Sequence, residues 1–187
     1  IKNIRIIQKS IKGQVMQRIE GFKHSKNEFV LQLDDDIILE KLCLYYLFET
    51  LNKNKKKIAV SPIFLKKEKS SKFDQIQKNF LFKFYHFLLN GKKNYNVGTV
   101  SLAGIPYYFE NISAKKITKV EWLSGGCILH KKRNLILKNY FPFKIKKAFC
   151  EDLIHSKKLI DKKVNLYLCT RAKAVYKDFE GYGFFSL

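Results

Sequence analysis

"FVLQLDDDIIL", residues 29–39, sets three consecutive aspartates into a run that otherwise reads as buried β-strand. Adjacent like charges repel, and an unpaired carboxylate in apolar surroundings is strongly disfavoured. Asp34, Asp35 and Asp36 therefore need a compensating partner, and the neighbouring elements decide what that partner is.

On either side, apolar strand-like segments alternate with helical ones. "NIRII" (3–7) reads as a strand, "QVMQRIEGFKHS" (14–25) has helical spacing, and "EFVLQL" (28–33) is the next strand. "EKLCLYYLFETLNK" (40–53) is a helix, "KIAVSPIFL" (57–65) a strand, and "KKEKSSK" (66–72) a polar loop. This alternation predicts an α/β fold of right-handed βαβ units with a mainly parallel sheet flanked by helices. Ligands of such sheets gather at the carboxyl ends of strands, which is where the three aspartates fall. A divalent cation is the natural compensation there, because Mg²⁺ and Mn²⁺ take oxygen ligands and Mg²⁺ commonly combines one or two carboxylates with substrate phosphates. The other reading is a helix cap, with Asp35 or Asp36 opening "IILEKL"; one aspartate would suffice for that.

Composition sets the outer limits. The 187 residues, 46% hydrophobic and 14% aromatic, suffice for the core of one globular domain spanning 1–187. The opening at Ile1, directly in an apolar stretch, reads as a piece of a longer chain. No apolar run approaches the roughly 18 residues that span a bilayer. The net charge of +21 is carried by 33 lysines and only 4 arginines, spread along the whole chain. Arg is the residue favoured for bidentate phosphate and base contacts, so this balance reads as a solvated Lys-rich surface rather than a nucleic-acid site. Cys43, Cys127, Cys150 and Cys169 form no CxxC or Cys/His cluster, which points to reduced, mostly buried thiols of a cytoplasmic protein.

Two downstream segments carry further chemistry. "VEWLSGGCILHKK" (120–132) sets a Trp and a Gly-Gly pair between apolar runs, either a tight turn with a core Trp or a place where backbone approaches a ligand closely. "FCEDLIHSKKLI" (149–160) puts Glu151 and Asp152 in the first turn of an amphipathic helix whose buried face is expected at Leu153, Ser156 and Ile160.

Taken in order, these segments resemble family 2 of the inverting glycosyltransferases, which have the Rossmann-like GT-A fold. The family's Arg-Asn-x-Gly pattern and its apolar strand ending in Asp-x-Asp are matched by "QRIEGFKHSKNEFVLQLDDD". Its Trp and Gly-Gly segment is similar to "EWLSGGCILHKK", and its Glu-Asp helix with the last strand is similar to "CEDLIHSKKLIDKKVNLYL". The likeness runs over roughly residues 1–178. It implies a hexosyl- or N-acetylhexosaminyl-type transferase of cell envelope polysaccharide biosynthesis. Such an enzyme takes a nucleotide-sugar donor, a glycan or lipid-linked acceptor, and Mn²⁺ or Mg²⁺. It acts in the cytoplasm or at the inner face of the membrane, without nucleic acid. Residue by residue, the resemblance makes Asp152 the general base with Glu151 in support. It makes Arg18, Asp34, Asp35, Trp122, Gly125 and Gly126 the donor pocket, and Asp36 with Asp34 the metal ligands. The family's Arg-Asn pair is Arg18-Ile19 here, and its metal-ligand His is missing from "AVYKDFEG" (174–181), where Asp178 is the available substitute. The family's first βα units, roughly 40 to 50 residues at 30 or more per βαβ unit, are expected to precede Ile1.

"LDDDI" is also compatible with a phosphatase of the haloacid dehalogenase type, which leaves the Trp-Gly-Gly segment unexplained. "NFLFKFYHFLLNGKK" (79–93) reads as a helix packed into the core, or as an aromatic, basic helix for RNA or an anionic membrane.

Overall fold

The computed structural model describes residues 4–8, 13–65, 80–90, 98–107, 117–141 and 150–177. Its elements are α1 (Gln14–His24), β1 (Phe29–Leu33), β2 (Ile37–Leu39), α2 (Cys43–Lys53), β3 (Ile58–Leu65), α3 (Phe80–Asn90), β4 (Ile117–Val120), β5 (Cys127–Lys131), α4 (Glu151–Asp161) and β6 (Asn165–Tyr176). The segments expected at 14–25, 28–33, 40–53 and 57–65 are all present within a few residues. The polar loop expected at 66–72 and Asp178 lie outside the described residues.

The strands form one sheet in the order β1-β5-β3-β6-β2, with β4 also paired to β6. Only β3 and β6 are parallel neighbours among the described pairings; β1–β5, β3–β5, β2–β6 and β4–β6 are antiparallel. The expectation of a mainly parallel sheet is therefore corrected. Strands β1, β3 and β6 do point the same way, as a β1-α2-β3 crossover requires, but β5 arrives from far along the chain and inserts, reversed, between β1 and β3. A second correction concerns "NIRII". Residues 4–8 form no strand, and Ile4 and Ile6 are largely exposed, because among the described residues no strand offers them a ladder.

Period-two alternation divides the core between the two faces of the sheet. Ala59, Ile128, Leu166 and Leu168 point to one face, where Val15 and Ile19 of α1 and Leu159 of α4 cover them. Ile58, Val60, Cys127, Leu129 and Cys169 point to the other, under Cys43, Leu47 and Leu51 of α2. Helices α1 and α2 use i, i+4 spacing to present one apolar stripe each. Burial is deepest on β3, whose first five residues are all buried. The four cysteines are free, and all but Cys150 are buried.

Two helices turn differently from expectation. In α4 the buried stripe is Glu151, His155, Ser156 and Leu159, while Ile160 is exposed; the acid and the imidazole that hydropathy assigns to solvent face inward. In α3 the six side chains described, Phe80, Leu81, Phe84, Tyr85, Phe87 and Leu88, are all exposed, so that face of the helix does not join the core.

Strand direction gathers one end of the sheet. The register Leu33↔Cys127 sets the carboxyl end of β1 beside the amino end of β5, and Ile37↔Tyr176 sets the carboxyl end of β6 beside β2. The three aspartates, Gly125 and Gly126, and Tyr176 thus come to the same end of the sheet.

Candidate active site

Asp34 follows β1 directly, and Asp35 and Asp36 make the turn into β2. The turn is tied down on both sides: the Asp34 N–H donates to the Gly126 carbonyl at 2.9 Å, and the Lys177 N–H donates to the Asp36 carbonyl at 2.7 Å. Next to Gly126, the Gly125 carbonyl accepts from the buried Gln32 side chain of β1, and the Leu123 N–H donates to the Ser156 hydroxyl of α4 at 3.0 Å. Segment 123–126 is therefore stitched both to the aspartate strand and to the helix bearing Glu151 and Asp152.

Arg18 of α1 closes the arrangement. Its Nη1 donates to both Glu151 oxygens, at 2.6 and 2.7 Å, and to the Tyr140 hydroxyl at 3.2 Å, while Nη2 lies 3.8 Å from Asp34 Oδ1. Tyr140 in turn donates to Glu151 Oε2 at 3.0 Å. Arg18 and Glu151 have side chains only 7% exposed. Burial alone would weaken the guanidinium's hold on its proton, but the Glu151 carboxylate and Tyr140 together more than offset it and the pKa is raised. A buried pair of this kind tolerates no missing partner.

The same ion pair explains one glycine. A Cβ on Gly125 would lie 2.8 Å from Glu151 Oε1 and 3.3 Å from Arg18 Nη2, so the close approach expected of the Gly-Gly segment is made to the protein's own charges. Gly126 is looser, with Ile37 Cδ1 at 3.3 Å and the Tyr176 hydroxyl at 3.6 Å from such a Cβ. Trp122 is almost wholly buried, and its indole N–H donates to the Tyr107 carbonyl at 3.2 Å. It braces the segment from within the core, and the structure does not place it on an open wall of the pocket.

With Glu151 committed to Arg18 and Tyr140, Asp152 is the less encumbered of the two acids. It is half-buried, and one of its oxygens accepts from the Leu153 N–H at 2.9 Å. Burial raises its pKa, and the neighbouring Glu151 charge adds to the rise. Asp34 is raised as well, by burial and by Asp36, Glu151 and Asp35, against the opposing pull of Arg18. Tyr176 stands at the same end of the sheet, paired with Ile37 of β2. Its hydroxyl hydrogen-bonds Ser124 Oγ at 3.2 Å, and its pKa is raised by burial and by Asp36, Asp34 and Asp152 together.

The structure therefore brings together Arg18, Asp34, Gly125, Gly126, Glu151 and Asp152, with Asp36 coupled electrostatically and Asp35 exposed at the turn. Gln32, Ser124, Tyr140 and Tyr176 join them without having been singled out in the sequence. Tyr140 and Tyr176 carry no motif, and only the alternation of β1, which turns Gln32 into the interior, hinted that this amide has a partner.

Residues 1–113, more than half of the chain, match the model of Glycosyl transferase family 2. No curated protein matches the chain. The matched stretch carries Arg18 and the three aspartates, and the Arg18–Glu151 pair ties to it the segments beyond residue 113. On that match the chain belongs to glycosyl transferase family 2.

Proposed function

We propose that this site transfers a hexosyl or N-acetylhexosaminyl group, with inversion, from a nucleoside diphosphate donor to a hydroxyl of a glycan or lipid-linked acceptor. The observation that carries the reading is the division of labour between adjacent acids. Glu151 is held by Arg18 and Tyr140, which leaves Asp152 half-buried, with a raised pKa, beside the acid that Arg18 joins to Asp34. A base needs both reach and a pKa lifted toward the working pH, and burial beside Glu151 supplies the lift.

In this proposal Asp152 takes the proton of the acceptor hydroxyl as its oxygen bonds to the anomeric carbon. The bond from that carbon to the diphosphate oxygen breaks, the electron pair leaves with the diphosphate, and the configuration inverts. Asp34 holds the donor's sugar or ribose, Arg18 fixes Glu151 and steadies Asp34, and Gly125 and Gly126 form the floor. Among the described residues no three metal-ligating side chains cluster. Two mutually repelling carboxylates, Asp34 and Asp36, fit instead a hard cation that draws its remaining ligands from phosphate oxygens, with Asp178 as a further candidate ligand. A bound Mn²⁺ or Mg²⁺ would supply neutralisation of the departing diphosphate. In this reading the activity belongs to the cytoplasm or the inner face of the membrane, in envelope polysaccharide synthesis.

The test is release of nucleoside diphosphate from a panel of nucleotide sugars incubated with Mn²⁺ and simple glycan or lipid acceptors. Acceptor-dependent release that a chelator abolishes supports the reading. Release that persists unchanged in chelator removes Asp36 from the proposed cation site, and the absence of release with any donor refutes the transfer.

A further inference from the structure

Helix α3 is apolar on the outside. Phe80, Leu81, Phe84, Tyr85, Phe87 and Leu88 are each at least half exposed, from 50% for Phe84 to 77% for Phe80. At 3.6 residues per turn they fall in the order Phe87, Phe80, Phe84, Leu88, Leu81, Tyr85 within one continuous arc of about 160°. Six large apolar side chains on one face of an 11-residue helix form a patch of the sort that marks an interaction surface.

Charge identifies what covers it. From residue 75 to residue 109 the sequence contains Lys78, Lys83, Lys92 and Lys93 and no Asp or Glu, in a chain of net charge +21. An apolar arc within a basic, acid-free stretch complements a surface that is apolar beneath and anionic on top. At 11 residues the helix is about half the roughly 20 residues that span a bilayer, and no described helix is long and apolar enough to cross one. Tyr85, at one edge of the arc, is a residue type favoured at the headgroup level. Leu81 and Leu88 add nothing to base stacking, which argues against single-stranded nucleic acid as the occupant.

We infer that α3 is a membrane-docking helix that lies in the plane of an anionic lipid surface, with its Phe80–Phe84–Phe87–Leu88 face inserted among the acyl chains. The inference is independent of the catalytic proposal, since it uses no residue of the carboxylate site.

The experiment is flotation of the full chain with vesicles of phosphatidylcholine alone, or of an equal mixture of phosphatidylcholine and phosphatidylglycerol. The wild type is expected to float with the anionic vesicles, and less so as salt rises. Phe84→Ser with Phe87→Ser, and separately Leu81→Ser with Leu88→Ser, are expected to weaken partitioning about tenfold or more while leaving the circular dichroism spectrum unchanged. Because these side chains are exposed, neither pair of changes opens a core cavity. Absence of wild-type flotation, or equal flotation of wild type and both variants, overturns the inference. So does tight binding of a polyuridine RNA that both variants lose, and so does a wild-type self-association that both variants abolish. The first of these two results would make α3 an RNA surface, the second an interface between copies.

Discussion

Gly125→Ala puts the central ion pair to a quantitative test. The new methyl would lie 2.8 Å from Glu151 Oε1, about 0.6 Å inside the 3.4 Å at which ordinary contact begins. Elsewhere the tip of a glutamate would swing aside. Here both of its oxygens are held, at 2.6 and 2.7 Å by Arg18 and at 3.0 Å by Tyr140, and the second guanidinium nitrogen blocks the adjacent path at 3.3 Å from the methyl. A shift large enough to clear the clash lengthens or breaks one charged hydrogen bond, a loss of about 1.5–3 kcal/mol. Against it stands the entropy of the unfolded chain, since a Gly→Ala change without backbone strain stabilises by about 0.4–1 kcal/mol; Gly125 is not among the residues with positive φ. The net expectation is destabilisation of about 1–2 kcal/mol, read in urea as a lower midpoint with an unchanged m-value. Two controls isolate the cause. Gly126→Ala meets the flexible end of Ile37 at 3.3 Å and should be milder. Gly21→Ala, in the interior of α1 with nothing within 4 Å, should stabilise by about 0.5–1 kcal/mol. If Gly125→Ala is as stable as the wild type while Gly21→Ala gains as expected, the ion pair is not rigid and the argument fails.

Four further outcomes follow from the same geometry. Asp152→Asn should lower turnover about 10²-fold or more with donor affinity little changed; full retained activity moves the base elsewhere. The same change should raise stability near neutral pH, because a carboxyl whose native pKa is raised binds its proton more tightly folded and so destabilises once ionised; a melt lower than wild type would contradict this. Arg18→Met leaves the Glu151 carboxylate buried and unpaired and should cost about 3–5 kcal/mol, whereas a loss under about 1 kcal/mol would show that water reaches the pair. His155, buried between Phe22 and Tyr140, is lowered from 6.5 to about 3. The unfolded chain therefore takes up protons that the native imidazole refuses, and stability should fall as pH drops from about 6.5, with Asp34 and Asp152 opposing the fall at its acid end. His130, fully buried against His155 and also lowered by burial, adds a decline of the same sign, so His155→Phe should reduce the fall without abolishing it, and an unchanged pH slope would place the acid sensitivity elsewhere.

What the sequence revealed and what it hid divide along a physical line. β1, α2 and β3 were readable because period-two and period-3.6 patterns are local, and each lies within one segment of the chain. The antiparallel insertion of β5 was not readable, because strand-helix alternation reports direction along the chain and says nothing of a strand that returns after more than 60 residues. The buried stripe of α4 was misread for a related reason. Hydropathy sends Glu151 to solvent, and the partner that reverses this, Arg18, lies 133 residues away. The aspartates raised the question of compensation, but a sequence shows a charge without showing where its partner stands. In the fold, Arg18 answers two acids at once, at 2.6 Å for Glu151 and 3.8 Å for Asp34. Burial raises the pKa of Asp34, and the nearby Asp36, Glu151 and Asp35 charges add to the rise against the opposing pull of Arg18. In the proposed function, Arg18 is engaged mainly with Glu151, and the charge that Asp34 still lacks would be supplied with the substrate. On that proposal, a divalent cation arriving with a diphosphate is the form of charge that would suit Asp34 and its turn.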